Sequence, residues 1–380
     1  MSTNKNKTHV ILIYNNKGGI GKTTLTANIA NIMGTVFHKK VLLIDWDPQN
    51  SLTSMFNINT NRMGALEFGK EHGIPTMAYL VSYFERWGKL PPIQYISNSK
   101  RTPTYTKAER NGMKWIYNDI PFGCDIIPGV GQDTSFIELA FMSQTPDNHV
   151  ERHYILTDEG KKYNRIMLQL VVKQIEEYFD YDFIFIDCPP SLGVLSLNGI
   201  AASRELIIPT FMDMNSAEGI NTVLRNVESV KKYIPDFEIK GILCNKYKRV
   251  RSNDRIVLEE INNSISDVAG IKVFDTKIVD KQLVVDSNTW DYLASQVKDD
   301  YRTSIINFVK EYFDAEKIEY EMDLLAGIVS ANKRTEENQK AAERIRAQRH
   351  VEDKMDGLST EELLMVDEYV SKLLQGKKEA

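Results

Sequence analysis

Residues 17–24 read Lys-Gly-Gly-Ile-Gly-Lys-Thr-Thr and lie between a short apolar run, His9 to Tyr14, and a helical pattern from about Lys22 to Met33. The order is therefore buried strand, glycine-rich loop, helix. Gly18, Gly19 and Gly21 allow backbone N–H groups around Ile20 to converge on phosphate oxygens, and the helix N-terminus adds the positive end of its dipole. Lys22 is placed to reach β- and γ-phosphates, Thr23 to ligate magnesium, and Thr24 to extend the cradle into the first turn. A glycine-rich turn with no ligand has no need of two lysines and two threonines at this spacing. The pattern implies a polyphosphate nucleotide. The common form, G-x-x-x-x-G-K-[ST], would have glycine at position 16, where this chain has Asn16 followed by an additional lysine, Lys17. An extra cation beside the loop suits neutralisation of charge that builds up in phosphoryl transfer.

The rest of the chain supplies the frame. Val41 to Ile44 is a second apolar strand, ending in Asp45-Trp46-Asp47-Pro48, and Phe183 to Ile186 another, ending in Asp187-Cys188-Pro189-Pro190. Cys124 to Pro128, Leu206 to Pro209 and Ile239 to Cys244 read as further short strands, with a helix from about Ala217 to Tyr233. Strands alternating with helices predict an α/β fold: a doubly wound, mostly parallel sheet with helices on both faces. Carboxylates at strand ends mark the sheet edge where such folds place their ligand chemistry.

Residues from about 57 to 122 are irregular and read as an insertion, with one helical stretch near Thr76 to Trp87. A long helical region then runs to about Phe179, broken near Asp158 to Gly160. Beyond Asp299 the pattern is helical almost throughout, apolar-rich to about Val329 and highly charged to about Asp356. Ser359 and Glu362 form an S-x-x-E capping box, flanked by Leu358 and Leu363, and open a last helix with Val366, Val370, Leu373 and Leu374 on one face. The expected division is a nucleotide-binding domain over 1–314, carrying the 57–122 insertion, and a helical C-terminal extension over 315–380.

Several function classes are disfavoured. No apolar run approaches the roughly 18 residues that span a bilayer, and no secretory segment is predicted. Cys124, Cys188 and Cys244 lie far apart, without metal-ligand spacing, and suit buried thiols in a reducing cytosol. The formal net charge is −5, so any nucleic-acid contact must come from a local basic patch. The densest basic run beside the nucleotide motifs is Lys246, Lys248, Arg249, Arg251 and Arg255, at the start of a helical pattern, and could neutralise backbone phosphates without reading sequence. The final helix carries Glu361, Glu362, Asp367 and Glu368, which anionic lipid would repel, so packing on the body or on a protein partner is expected instead of a membrane.

Phosphoryl transfer asks for magnesium, a carboxylate to hold it through water, and a group that orients the attacking water. Asp45, Asp47 and Asp187 are the candidates. Asn245-Lys246-Tyr247-Lys248 is similar to the N-K-x-D base-reading segment of GTPases, but Lys248 stands where guanine selection needs a carboxylate. That substitution argues against GTP.

KGGIGKTT with Lys17 resembles the deviant Walker A motif of the ParA/MinD family of ATPases. LLIDWDPQNSLT (42–53), FIFIDCPPSLG (183–193) and LIIPTFMDMNSAEG (206–219) resemble that family's subsequent motifs in the same order, the D-x-D-P-Q form being the ParA variety. The resemblance covers most of residues 9–313 outside the insertion. It implies a cytoplasmic, magnesium-dependent ATPase that dimerises on ATP, associates with the nucleoid by binding nonspecific DNA, and is stimulated by a ParB-like centromere-binding protein to partition a plasmid or chromosome. It further implies that Lys17 reaches the nucleotide of the other subunit, that Asp47 positions or deprotonates the water, that Thr23, Asp45 and Asp187 serve magnesium, that Asn245 approaches adenine, and that basic residues near Lys248, Arg249, Arg251 and Arg255 touch DNA. A MinD-like spatial regulator and a P-loop adaptor that positions another cargo are the alternatives.

Overall fold

The computed structural model describes residues 8–56, 76–87, 91, 109–110, 113–114, 122–129, 167–190, 194–211, 216–231, 236–248, 271–287 and 293–328. The chain divides into two compact units, one of residues 1–105 and 119–329 and the other of residues 106–118 and 330–380. Of the second unit the described part is a short antiparallel pair, β3 (Glu109–Arg110) with β4 (Met113–Lys114).

The first unit holds β1 (His9–Ile13), α1 (Lys22–Thr35), β2 (Val41–Asp45), α2 (Ser51–Met55), α3 (Met77–Trp87), β5 (Cys124–Ile127), α4 (Met167–Tyr178), β6 (Phe183–Asp187), α5 (Val194–Ala202), β7 (Glu205–Phe211), α6 (Ser216–Lys231), β8 (Glu238–Tyr247), β9 (Val273–Val279), α7 (Gln282–Ser287) and α8 (Asp300–Glu316). Seven strands form one sheet in the order β5-β2-β6-β1-β7-β8-β9. Every pairing in it is parallel. The α/β expectation therefore stands. VLLID and FIFID are buried along their whole length, the signature of strands covered by helices on both sides.

Side chains alternate between the two faces. Val10, Leu12, Ile184, Ile186, Leu206 and Ile208 join one core with Met77 and Leu80 of α3, Val171 and Ile175 of α4, Leu195 of α5 and Val223 of α6. On the opposite face Phe183 stacks on Phe313 of α8 at 5.5 Å between ring centroids. There α1 passes so close to the entry of β5 that a Cβ on Gly34 would come within 1.6 Å of the Gly123 carbonyl oxygen. Glycine is required at that crossing.

Among the differences from the sequence-based expectation, β9 and the helix after Asp299 bear most on the frame. β9 was not among the expected strands: it is an edge strand with mostly half-buried side chains, so it lacks the continuous apolar run that marks the central ones. The helix after Asp299 stops at Glu316, where the pattern predicts that helix continues, because Lys317 turns into the left-handed region at φ 57°. The following backbone is captured by the body instead. Buried Arg302 donates to the carbonyl oxygens of Ser295 (2.5 Å), Leu324 (3.3 Å) and Ala326 (2.6 Å), and Asp323 N–H donates to Val36 O at 2.9 Å. The capping box at Ser359 and the final helix lie outside the described residues, as do the helical region before Met167 and most of the 57–122 insertion.

Candidate nucleotide-binding site

β1 is the central strand, and the chain leaves it to build β2 on one side while β7 lies on the other. The carboxyl end of β1 is thus where an open α/β sheet forms its crevice. The glycine-rich loop sits there. Gly19 (φ 70°) and Gly21 (φ 93°) take left-handed conformations open to glycine, and Gly21 opens α1. Asn15 braces the loop from below, accepting from Lys17 N–H at 3.0 Å and donating its side-chain amide to Pro209 O of β7 at 2.8 Å. Gly18 and Gly19 are exposed, Ile20 is buried, and Thr23 and Thr24 are half-buried in the first turn of α1. The Lys17 stem lies against α6, 3.2 Å from where a Cβ on Gly219 would stand.

Lys22 is buried and its ammonium donates to Lys17 O at 3.2 Å. Burial lowers its pKa, and Asp187 and Asp47 work against that shift. A buried cation beside a half-open loop of N–H groups is a receptor for a polyanion.

Asp45 and Asp187 are register partners at the ends of β2 and β6, both fully buried. Their surroundings separate them. Asp45 Oδ2 accepts from Thr53 N–H at 2.8 Å and Thr53 Oγ1 at 2.6 Å, while its Oδ1 accepts from Asp47 N–H at 3.2 Å. Burial pushes the Asp45 carboxyl up to about 7 despite the Thr53 bonds. Asp45 is thus bonded as the anchor of the 46–53 turn, an arrangement that leaves little of it for the magnesium shell expected above.

Asp187, by contrast, has no hydrogen-bond partner on either carboxylate oxygen. Burial, and then the Asp45 charge, drive its pKa well above the usual range; the nearby Thr23 hydroxyl, and more weakly the Lys22 charge, moderate the shift. Asp47 is less enclosed, at 7% exposure, and its Oδ1 accepts from Gln49 N–H at 2.9 Å. Burial raises its pKa, opposed by the Gln49 bond and by Lys22.

Three acidic groups around one lysine leave the pocket short of positive charge, and the orphaned Asp187 oxygens are where a hydrated cation would be received. Among the described residues there is no cluster of three or more His, Cys, Asp or Glu able to cage a metal by themselves. The Thr23 hydroxyl and the Asp187 carboxylate are oxygen donors of the kind that would hold a magnesium ion carried by a nucleotide, which would supply charge neutralisation at its phosphates.

Asn245 and Lys246, at the end of β8, also belong to this site. Asn245 Nδ2 donates to Ile20 O at 2.8 Å and Lys246 Nζ to Gly19 O at 3.0 Å. One N–H of the Asn245 amide is thus engaged by the loop backbone. Of the basic cluster named for DNA, Lys248 is exposed with its ammonium 3.2 Å from Asp280, which offsets part of its charge. Arg249, Arg251 and Arg255 lie outside the described residues. Sequence reasoning missed the bracing roles of Asn15, Thr53 and Lys246; the bonds of Asn15 to Pro209 and of Lys246 to Gly19 join distant segments that no local pattern connects, whereas Thr53 acts on Asp45 within its own turn. Cys124, Cys188 and Cys244 are buried thiols, none in a disulfide.

The geometry has relatives. Residues 11–289 match the CobQ/CobB/MinD/ParA nucleotide binding domain. The chromosome partitioning protein ParA of Caulobacter vibrioides is 26% identical over 274 residues, covering 72% of this chain and 81% of that one. The chromosome-partitioning ATPase Soj of Treponema pallidum is 27% identical over 271 residues, covering 70% and 81%. Among solved structures, cobyrinic acid a,c-diamide synthase from Mycobacterium smegmatis, with bound ADP and magnesium, superposes with a TM-score of 0.55 at 22% identity, over 82% of this chain and 96% of that one. The phosphate loop at the end of the central parallel strand, the strand-end carboxylates and a match over residues 11–289 together make this chain a member of the CobQ/CobB/MinD/ParA nucleotide-binding family.

Proposed function

We propose that this protein is a ParA-type ATPase that moves or positions DNA, switching between nucleotide states. The observation that carries the nucleotide chemistry is the fully buried, unpartnered Asp187 carboxylate one strand away from Lys22 and Thr23. Residues 18–24 hold the phosphates, with Lys22 on the terminal ones. Thr23 and Asp187 hold magnesium, which supplies charge neutralisation at the phosphate oxygens when it is bound. Asp47, at the open side of the carboxylate group, orients the attacking water, and burial, which raises its pKa, makes it a stronger base than a free carboxylate. Lys17 reaches the nucleotide held by a second copy of the chain. A γ-phosphate gripped by two protomers stabilises their dimer, and its loss removes that differential affinity.

The partition role rests on the named relatives, both chromosome-partitioning proteins. The ATP-bound dimer holds nonspecific DNA through the basic segment from Lys248 to Arg255, in the cytoplasm and on the nucleoid, and a ParB-like centromere-binding protein stimulates hydrolysis and release. Binding of a nonspecific duplex, measured with ATP, ADP and no nucleotide at two salt concentrations, tests this. Binding that requires ATP, weakens with salt and fails in Lys22→Ala and Arg251→Glu is expected. Asp47→Ala is expected to bind ATP and DNA normally and to remain dimeric, with ATP turnover lost. Absence of ATP-dependent DNA binding at low salt, with ATP hydrolysis intact, would move the cargo to a membrane or a protein.

A further inference from the structure

We propose that Lys246 and Asn245 are positioning residues that shape the phosphate loop for its ligand, an inference that rests on the nucleotide-binding reading above. Three backbone carbonyl oxygens of the loop, those of Lys17, Gly19 and Ile20, are each held by a side-chain donor: Lys22, Lys246 and Asn245 respectively. A free carbonyl turned toward a phosphate would repel it. In a trans peptide the C=O and the following N–H point in opposite directions. Holding Gly19 O and Ile20 O against β8 therefore turns the N–H groups of Ile20 and Gly21 away from β8, as a pair of donors with fixed aim.

β8 is built for this grip. Its pairing with β9 shifts register between Cys244 and Tyr247, and within that irregularity Lys246 adopts φ 54°, a conformation unfavourable for lysine. Bulges of this kind re-aim side chains next to sites. The ammonium is steadied over the Phe211 ring of β7, 5.3 Å from its centroid, so the end of the neighbouring strand helps to aim it. Asn245 comes so close that a Cβ on Gly21 would stand 2.5 Å from its Nδ2. Backbone strain at Lys246 and the absence of a side chain at Gly21 both serve the same two contacts.

Lys246→Gly separates this role from a structural one, because glycine accepts φ 54° and relieves the strain while deleting the ammonium. The experiment measures affinity for a fluorescent ATP analogue with magnesium, and the nucleotide-free melting midpoint, for wild type, Lys246→Gly, Lys246→Arg and Asn245→Ala. Lys246→Gly is expected to melt no lower than wild type yet bind the analogue about tenfold more weakly. Lys246→Arg, which keeps a cationic donor, is expected to recover most of that loss. Asn245→Ala is expected to weaken binding by a similar factor. Wild-type affinity in both Lys246→Gly and Asn245→Ala would overturn the inference while leaving the nucleotide reading intact. A wild-type chain that binds no nucleotide would overturn both.

Discussion

At the edge of the sheet where β1, β2 and β6 end, Asp187 has two buried oxygens that no protein group satisfies. At the opposite edge, where β1 and β7 begin, Glu205 is nearly as buried and both its oxygens are engaged: His9 Nδ1 lies 2.6 Å from Oε1, and the Tyr312 hydroxyl donates to Oε2. Neighbouring groups continue that network. Arg204 pairs with Glu176 and donates to Thr8 O at 2.7 Å, and Lys240 bridges Glu238 and Glu316 at 2.6 Å each. Burial acts to raise the Glu205 pKa, but the His9 and Tyr312 bonds outweigh it and hold the carboxyl below its usual range. At the loop edge the balance is reversed for Asp45, Asp47 and Asp187. A folded chain tolerates unmet polar demand where a ligand will meet it, and closes its charges on one another where none will.

The largest test of this contrast is Lys22→Ala, which removes the one buried cation at the loop edge facing Asp187 and Asp47. It is expected to weaken ATP binding at least about 100-fold in a titration with a labelled nucleotide, with little change in the nucleotide-free melting midpoint. Glu205→Ala probes the other edge and should do the reverse. Stranding His9 and Tyr312 is expected to cost about 3 kcal/mol in denaturant unfolding while leaving nucleotide affinity per folded molecule unchanged.

A smaller effect lies in the pH dependence of the nucleotide-free protein, and the two edges carry opposite signs. Asp45 and Asp187 have folded pKa values above their unfolded ones, so their contribution to stability is complete at low pH; that of Asp45 is lost as pH rises toward about 7, and that of Asp187 falls with rising pH in the same sense. Glu205, held below its unfolded value, contributes above that value and loses its contribution as pH falls through its folded pKa. Unfolding free energy should therefore fall between pH 5 and pH 8 in the absence of nucleotide, by about 3 kcal/mol from Asp45 alone, with Asp187 adding in the same direction. Asp187→Asn should flatten that decline and Glu205→Gln should not; an unchanged slope in Asp187→Asn would remove the claim that its carboxylate is an unmet charge. The smallest effect is that of Lys248→Ala. Its pair with Asp280 is more than half exposed on the lysine side, so stability should change by less than about 0.5 kcal/mol, which leaves any loss of DNA affinity free of a folding defect.

Much of the site could be read from the chain alone because its signals are local. The spacing of Gly18, Gly19, Gly21, Lys22 and Thr23 belongs to one turn of backbone and one helix start, and the aspartates sit directly after apolar runs that can only be buried strands. The same locality made the central strands visible and hid β9, whose single neighbour and half-buried side chains leave no continuous apolar signal. It also made residues 317–328 look like more helix, since nothing in their own pattern reveals that Arg302 holds two of their carbonyls.

What the sequence by itself determined is the phosphate loop, the parallel α/β frame around it and the placing of carboxylates at its open edge. What only the tertiary structure decided is which of those carboxylates is spent and which is left wanting. Asp45 and Asp187 follow alike strands, yet Thr53 satisfies one and no described residue makes a hydrogen bond to the other's carboxylate. The grip of Lys246 on Gly19 is of the same kind, joining residues 227 positions apart. Propensity and periodicity act over a few residues, whereas a hydrogen bond between distant segments exists only once the sheet has brought them together.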